Sequence, residues 1–433
     1  MEISRKSLSA NLLLLSALAC GALAHASAAD PSLFDAARAE QPAVIATLGD
    51  LVSIESGSAD REGLERMATY LETRLQKLGA KVTRVPSRTG GPDLVSGTIT
   101  GPGELKVLLI AHMDTVYDQG ILATESYRRD GNLLYGPGIA DDKGGIAVIL
   151  HSLALLRGQG WNNYAQITVL FNPDEEIGSP GSGETIAAFG ERQDVVLSFE
   201  PSPAKAVAGE EGVLLSAAGT SEVSIKVEGR AAHAGAAPEQ GRNALIELAY
   251  QLVQTRDVAK QVKGAELNWT TASAGTVRNQ IPQAAQAGGD VRVTEPDAND
   301  QLLAALKAKV EESRLIPDTT TTVTLQPMRP IYIAGAKGQR LADLARSIYA
   351  EIDGRRLQML PTTNGGTDAG FAGRSGHPMV LESLGLAGWG YHAKNEYIEI
   401  DSIPPRLYLT SRMLIELGKG PLTTSRTSHG AVR

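Results

Sequence analysis

Cysteine is almost missing from this sequence, since Cys20 is the only one among 433 residues. Aromatic residues make up only 4%, no stretch of basic residues occurs, and the formal net charge is −8. The lack of cysteine excludes a fold held together by disulfides. The acidic balance gives no reason to expect nucleic acid or an anionic membrane surface as a partner.

The N-terminus has the features of an export leader. Arg5 and Lys6 precede a short apolar stretch at 12–22, and small residues at 24–28 match the A-x-A cleavage pattern. This stretch is too short for a membrane span. We therefore predict that 1–28 is a cleaved signal peptide of a periplasmic or secreted protein. The alternative is a lipoprotein, because 17–20 faintly resembles a lipoprotein cleavage site.

Helices and buried strands alternate through the first half of the chain. Apolar spacing predicts helices at 33–51, 61–78 and 144–156, and continuous apolar runs predict strands at 106–111, 166–171 and 195–199. This alternation indicates an α/β fold with a mostly parallel sheet that is covered on both faces.

The pattern changes after about residue 215 and returns after Pro330. Strands with strict alternation or strand-like composition are predicted at 222–227, 267–274, 289–293 and 320–326, with helices at 243–253 and 299–312, the latter capped by Asn299. Later elements are predicted at 338–350, 379–384 and 402–417. The sequence therefore predicts a catalytic domain of 29–217 and 330–420, an inserted α+β domain of 218–329, and a flexible tail of 421–433.

Histidine and acidic residues follow several of the predicted strands. His112 and Asp114 follow the first buried strand, 174–176 (Asp-Glu-Glu) follows the second, and Glu200 follows the third. Ligands of open α/β sheets bind at the carboxyl ends of the strands, so these side chains are expected to share one crevice. A solvated acidic turn is the ordinary interpretation of each one alone, but their repetition at successive strand ends favours a cation site.

Two glycine-rich segments complete the set. Segment 135–145 (Tyr-Gly-Pro-Gly-Ile-Ala-Asp-Asp-Lys-Gly-Gly) leads into a predicted helix, and His392 lies in a glycine-rich loop. Helix capping explains one aspartate of the pair at 141–142, although not both. Two imidazoles and three carboxylates together suit a pair of zinc ions.

These stretches resemble the zinc aminoacylase/carboxypeptidase family, a family of di-zinc exopeptidases, and most of all its bacterial glutamate carboxypeptidases that hydrolyse folates. The similarity runs from residue 41 to the helix after Arg406. The matching segments are 111–117, 135–145, 197–201, 233–239 and 365–368.

The resemblance implies a role for each matching residue. Asp141 bridges two Zn²⁺ ions, His112 and Glu200 complete one site, and Glu176 and His392 complete the other. Glu175 acts as general base, Asp114 orients His112, and Asp141 and Asp142 are joined by a cis peptide. The inserted domain is implied to be a ferredoxin-like lid that forms a homodimer, so that His233 stabilises the oxyanion in the partner's active site. The implied substrate-binding residues are Asn279, Arg292, Arg329, Gly366 and Thr367, with Asp368 beside them.

One segment departs from the family pattern. Relatives that release glutamate carry a basic residue and a hydroxyl just before the first lid strand, whereas segment 209–214 here reads Gly-Glu-Glu-Gly-Val-Leu. The resemblance therefore implies amide hydrolysis of an N-acyl or peptidyl amino acid, with glutamate as the first choice of released residue.

Two other functions compete with this interpretation. A dipeptidase or aminopeptidase of the same family needs an anionic partner for a free amine, and the sequence shows no clear one. A catalytically inactive binding protein predicts the loss of a metal ligand or of Glu175, and none of them is lost.

Overall fold

A computed structural model describes residues 29–420 and residue 422. The leader predicted at 1–28 and the tail predicted at 421–433, apart from Leu422, lie outside the described residues. Within the described part of the chain, no helix combines the length and the apolar character needed to cross a bilayer.

The first half of the described chain alternates strands and helices, as the sequence predicts. Its elements are α1 (Pro31–Val52), α2 (Arg61–Lys77), β1 (Lys81–Val85), β2 (Leu94–Thr100), β3 (Lys106–His112), β4 (Arg128–Asp130), β5 (Leu133–Tyr135), α3 (Lys143–Gly158), β6 (Gln166–Asn172), α4 (Gly183–Gly190), β7 (Val195–Ser198), β8 (Ser202–Pro203), α5 (Lys205–Ala208), β9 (Gly212–Leu214) and β10 (Ser216–Ala217).

The next segment forms a separate unit with its own sheet. Its elements are β11 (Gly219–Glu228), β12 (Ala232–His233), α6 (Ala244–Thr255), β13 (Ala265–Ala274), β14 (Gln280–Ile281), β15 (Ala284–Val293), α7 (Ala298–Glu312) and β16 (Thr320–Arg329).

The chain then returns to the first unit. Its remaining elements are β17 (Tyr332–Ile333), α8 (Gly335–Ala350), β18 (Gln358–Leu360), α9 (Ala369–Ala372), β19 (Met379–Leu381), β20 (Ala387–Trp389), β21 (Tyr397–Glu399) and α10 (Ile403–Leu417).

The central sheet has six strands in the order β1-β2-β6-β3-β7-β19. Strands β6, β3, β7 and β19 run parallel, and β2 and β1 extend the sheet antiparallel at one edge. Both faces are covered, because Val107 and Leu109 of β3 pack in one apolar cluster while Leu108 and Ile110 pack in another. Burial on both faces explains why this strand is continuously apolar instead of alternating.

The inserted unit is an antiparallel sheet in the order β13-β15-β11-β16, with α6 and α7 against one face. Val223, Ile225 and Val227 of β11 point to the helices and form a separate core, whereas Glu222 and Lys226 are exposed. The chain order βαββαβ and this strand order give a ferredoxin-like arrangement. The predicted fold class, a mostly parallel α/β unit with an inserted α+β lid, is confirmed.

The helix cap predicted at Asn299 is wrong. Helix α7 begins at Ala298, its N-cap is Asp297, and the Asp297 side chain makes no capping hydrogen bond. The side-chain oxygen of Asn299 instead accepts a hydrogen bond from the Ser221 hydroxyl at 3.0 Å. The amide is used to join α7 to β11, so it does not cap the helix.

Candidate active site

Four candidate ligands, Asp141, Glu176, Glu200 and His392, line a cleft of about 1050 Å³ to which both units contribute, and a fifth, His112, is buried next to Asp141. They form two groups, His112 with Asp141 and Glu200, and Asp141 with Glu176 and His392. Within each group all ligand atoms lie within 4.8 Å of one another. Asp141 belongs to both groups, so its two carboxylate oxygens face two different sites.

Individual distances agree with this division. Nε2 of His112 lies 2.9 Å from Oδ1 of Asp141 and 3.8 Å from Oε1 of Glu200. Nε2 of His392 lies 3.4 Å from Oδ2 of Asp141 and 3.1 Å from Oε2 of Glu176. Each imidazole therefore presents a ring nitrogen to one oxygen of the shared carboxylate.

The sheet explains why these residues meet. His112 ends β3, while Glu176 and Glu200 lie shortly after β6 and β7, the two neighbours of β3. Since the three strands are parallel, their carboxyl ends lie at one edge. His392 is brought there by β20, which pairs in parallel with β8 shortly after Glu200.

The two aspartates that precede α3 have different tasks. Oδ1 of Asp142 accepts a hydrogen bond from the Gly145 amide at 3.1 Å and thus caps the helix. Asp141 is left to face the ligand groups. The peptide bond between the two residues is cis, as the resemblance implies.

Asp114 contacts His112, as predicted, and also the backbone of the loop that follows β6. Nδ1 of His112 lies 3.0 Å from the backbone oxygen of Asp114 and 3.3 Å from its Oδ1. The Asp114 carboxylate also accepts hydrogen bonds from the backbone amides of Glu175 and Glu176, at 3.0 and 3.1 Å. One buried side chain therefore fixes both an imidazole ligand and the loop that carries the acidic pair.

Glu175 does not join either ligand group. Its Oε1 lies 2.8 Å from Nη1 of Arg329, and both side chains are buried. Arg329 also donates a hydrogen bond to the backbone oxygen of Glu175. Burial raises the pKa of Glu175 to about 8, although the Arg329 charge opposes the rise. A carboxyl group with a raised pKa at the edge of a ligand cluster suits proton transfer near neutral pH.

The two ligand groups bring three carboxylates together at buried or half-buried positions. Burial and the neighbouring carboxylates raise the pKa values of Glu176 and Glu200. Hydrogen bonds to Asp141 and Glu176 raise the pKa of His392 to about 10. Divalent cations relieve this repulsion by replacing the protons, so the donor set fits a pair of metal ions.

Glu396 is a functional residue that the sequence analysis missed. Its buried carboxylate accepts hydrogen bonds from the backbone amides of Gly138, Ala140 and Asp141 at 2.8, 2.8 and 3.0 Å. The Tyr117 hydroxyl donates a fourth at 2.7 Å. Glu396 therefore ties the loop after His392 to the loop that carries Asp141. Its position four residues after a ligand histidine is the one signal in the sequence.

We expect Glu396→Gln to weaken metal binding by about 10–100-fold, the effect typical of residues that orient metal ligands. The amide replaces one acceptor oxygen by a donor that faces backbone N–H groups. Tyr117→Phe is the matched control, because it removes the hydroxyl that contacts this carboxylate and the Ala393 backbone oxygen but leaves the three backbone amide bonds to Glu396 intact. Zinc titration with a competing chelator measures both variants, and equal affinities for wild type and Glu396→Gln would exclude this role.

The predicted substrate-binding residues fall into two sets. Arg292, Arg329, Gly366 and Thr367 line the cleft. Gly366 lies so close to Arg329 that an added Cβ would stand 2.5 Å from Nη1, which explains the glycine. His233 and Asn279 do not line the cleft of their own chain.

The segment that departs from the family pattern turns its acidic groups away from the cleft. Oε2 of Glu211 is buried against Nε of Arg406 at 2.8 Å, and Glu210 does not line the cleft. Leu214, at the end of β9, does line it. The segment therefore contributes an apolar surface to the cleft and no charge.

Comparison with known proteins places this site in a family. The family model "Peptidase family M20/M25/M40" matches residues 108–416. The chain belongs to this family. Carboxypeptidase G2 of Pseudomonas sp. (strain RS-16) is 45% identical over 395 residues, which cover 90% of this chain and 93% of that protein. The resemblance inferred from the motifs is thereby confirmed.

Solved structures of M20 peptidases share the fold. An M20 family metallo-carboxypeptidase from Sulfolobus solfataricus has a TM-score of 0.69 at 18% identity, covering 87% of this chain and 99% of its own. A dinuclear metal-binding peptidase of Bacillus subtilis has a TM-score of 0.64 at 16% identity, covering 88% and 99%. The chain is thus an M20 metallopeptidase, and its two ligand groups are consistent with two zinc ions.

Proposed function

We propose that this M20 metallopeptidase releases a C-terminal amino acid, glutamate as the first choice, by cleaving the amide bond to an N-acyl or peptidyl group. The observation that carries the proposal is one cleft lined by members of both ligand groups, by Glu175 and by Arg292. The similarity to Carboxypeptidase G2 supports the same activity.

The proposed mechanism assigns one task to each group of side chains. The five candidate ligands would hold two zinc ions, which would lower the pKa of a bound water and polarise the scissile carbonyl. Glu175 takes a proton from the attacking water and passes it to the leaving nitrogen. Asp114 holds the His112 ring and the Glu175 backbone in fixed positions through its hydrogen bonds to both.

Arg292 is the candidate for binding the substrate carboxylate. Its Nε is held 2.8 Å from Oδ2 of Asp290, and its side chain remains partly exposed in the cleft. Arg329, by contrast, is buried and paired with Glu175. A partly exposed guanidinium can donate two parallel hydrogen bonds to a carboxylate, so we assign the substrate α-carboxylate to Arg292.

A hydrolysis panel tests this function. One acyl group is placed on glutamate, aspartate, alanine, leucine and phenylalanine, each as free acid and as amide. We expect kcat/KM of each free acid to exceed that of its amide by tenfold or more, since hydrogen bonds to charged groups contribute about 1.5–3 kcal/mol. We expect glutamate to be the best released residue.

Two outcomes of the panel would overturn parts of the proposal. Equal turnover of acids and amides would reject the carboxylate clamp. Turnover confined to dipeptides with a free amine would favour the dipeptidase or aminopeptidase alternative.

We also propose that the protein is a homodimer that associates through the lid. In the described part of the chain, the exposed large apolar residues of the lid include Leu245 and Ile246 on one part of α6 and Val253 further along it. Val277, near His233 and Asn279, is a fourth. Contiguous exposed apolar surfaces are typical of interaction sites, and these residues are the candidates for one on the lid. Sedimentation of the purified protein tests the assembly.

The domain boundaries and the location of the protein are proposals as well. The lid is assigned to 218–329, and the catalytic domain to 29–217 and 330–420; the separate apolar core of the lid supports this division. The charged start, apolar stretch and cleavage pattern of 1–28 support export to the periplasm or beyond. N-terminal sequencing of protein recovered outside the cytoplasm tests the assignment.

A further inference from the structure

Part of the cleft lining is apolar, which the hydrolytic chemistry does not require. Four of the eleven exposed large hydrophobic residues in the described part of the chain line this one cleft: Ile177, Val207, Met328 and Trp389. Leu214 and Leu360 continue the apolar lining. Exposed apolar side chains that gather in a concave site favour an apolar ligand.

A β-bulge contributes one of these side chains. Thr220 of β11 pairs with Arg329 of β16, but the next residue, Ser221, pairs with Pro327. Met328 is therefore the extra residue of the bulge. In a regular strand Met328 and Arg329 would lie on opposite faces, whereas here both line the cleft. Bulges near active sites commonly redirect a side chain in this way.

Two further apolar residues come from neighbouring elements beside the metal ligands. Strand β8 pairs in parallel with β20 through Pro203 and Gly388, so Trp389 and helix α5, which contains Val207, follow the same ends of two adjacent strands. Val207 is 49% exposed, Trp389 41% and Met328 39%. We call these three residues the apolar wall. Glu200 precedes β8 and His392 follows β20, so the apolar wall begins at the ligand groups.

The charge distribution in the cleft shows which part of the substrate meets the apolar wall. The two lining arginines, Arg292 and Arg329, are each paired with a carboxylate. No lysine lines the cleft among the described residues. Arg292 is the more exposed of the two and is the one assigned to the substrate carboxylate, so an anionic acyl group would find no cation at the apolar wall. Most of the apolar lining is aliphatic, which suits a flexible chain.

We propose that the group on the acyl side of the scissile bond is an extended aliphatic chain bound by Val207, Met328 and Trp389. The preferred substrates are then N-acyl amino acids with long saturated acyl groups. This inference rests on the proposed release of a C-terminal amino acid from an N-acyl group.

The test is a chain-length series on the best released amino acid, from acetyl through hexanoyl to dodecanoyl, with benzoyl as the aromatic arm, all below micelle-forming concentrations. Each buried CH₂ contributes up to about fourfold in affinity. We expect kcat/KM to rise at least ~100-fold from acetyl to dodecanoyl. This is less than the gain for complete burial of every added CH₂ group, because a chain in an open cleft is only partly buried. Calorimetric Kd values of the same compounds, measured on zinc-loaded protein with Glu175→Ala, give a second readout that does not depend on turnover.

Substitutions in the apolar wall locate the effect. Val207→Ser and Met328→Ser are each expected to lower the dodecanoyl-to-acetyl ratio by about fivefold or more. Ile333→Ser is the matched control, since Ile333 is also 49% exposed but does not line the cleft. Val207→Ser lies outside the bulge, so it remains informative if Met328→Ser fails to fold.

Three results would overturn the inference. The first is a flat or falling dependence on chain length in both kcat/KM and Kd. The second is a rising dependence that neither Val207→Ser nor Met328→Ser changes. The third is a benzoyl compound that surpasses dodecanoyl. Failure of the proposed function looks different, because then no N-acyl amino acid is hydrolysed, while the Kd series still tests the apolar wall.

Discussion

Replacing Glu175 by alanine is expected to lower kcat by about 10²–10⁴-fold while both metal ions stay bound, because general-base catalysis contributes effects of that size. The carboxylate lies beside the ligand groups and belongs to neither of them. Its removal therefore takes away the proton acceptor without taking away a ligand. Steady-state kinetics and elemental analysis of the same sample measure both parts of this expectation.

The neighbouring residue is the matched control. Glu176→Ala removes a member of the second ligand group, so we expect weaker metal binding as well as lost activity. Glu175→Gln is a further control for folding, since the amide oxygen can still accept a hydrogen bond from Arg329. If Glu175→Ala and Glu176→Ala lose metal to the same extent, the division of roles between them is wrong.

The grouping of the candidate metal ligands was predictable because the carboxyl ends of neighbouring parallel strands lie together. His112, Glu176 and Glu200 each lie at or shortly after the carboxyl end of a continuously apolar strand. Such strands are recognisable without alignment, and their carboxyl ends meet at one edge. The two aspartates before α3 illustrate the limit of this reasoning. Capping explains one of them, and the structure assigns that task to Asp142.

Other parts of the fold were not predictable from local pattern. Strand β1 is short and has no buried residue at the sheet edge, and the apolar run of β2 is interrupted by Ser96 and Gly97. The second sheet, β4-β5-β21-β20-β8, is built from strands of two or three residues that come from distant parts of the chain. Strands this short carry almost no periodicity, and tertiary contacts determine them.

The role of Glu396 was hidden for the same reason. Its partners are backbone amides at 138–141, more than 250 positions earlier in the chain. An acidic residue in a loop is usually solvated, and the local sequence offers only the position of Glu396 four residues after His392. Arg329 is a related case, since the family resemblance implies substrate binding, while the structure places its guanidinium against Glu175.

His233→Ala is expected to lower kcat by about 10²–10³-fold, the loss typical of removing one donor to an oxyanion. His233 is exposed and does not line the cleft of its own chain. Its Nδ1 accepts hydrogen bonds from the amides of Gly235 and Ala236, both at 3.1 Å, so Nε2 carries the proton. An imidazole held with Nδ1 as acceptor offers its Nε2 as a hydrogen-bond donor, and in the proposed dimer this donor serves the partner's site.

Complementation distinguishes action in the partner's site from a structural effect. In a dimer of one His233→Ala chain and one Glu175→Ala chain, one of the two sites combines an intact Glu175 with an intact His233. Random co-assembly then restores about one quarter of wild-type activity, since half of the dimers are mixed and each has one competent site. Co-assembly of Glu175→Ala with Glu176→Ala is the control and should restore nothing, because both defects lie in the same catalytic unit. Demonstrated mixed dimers without recovered activity would show that His233 does not act across the interface.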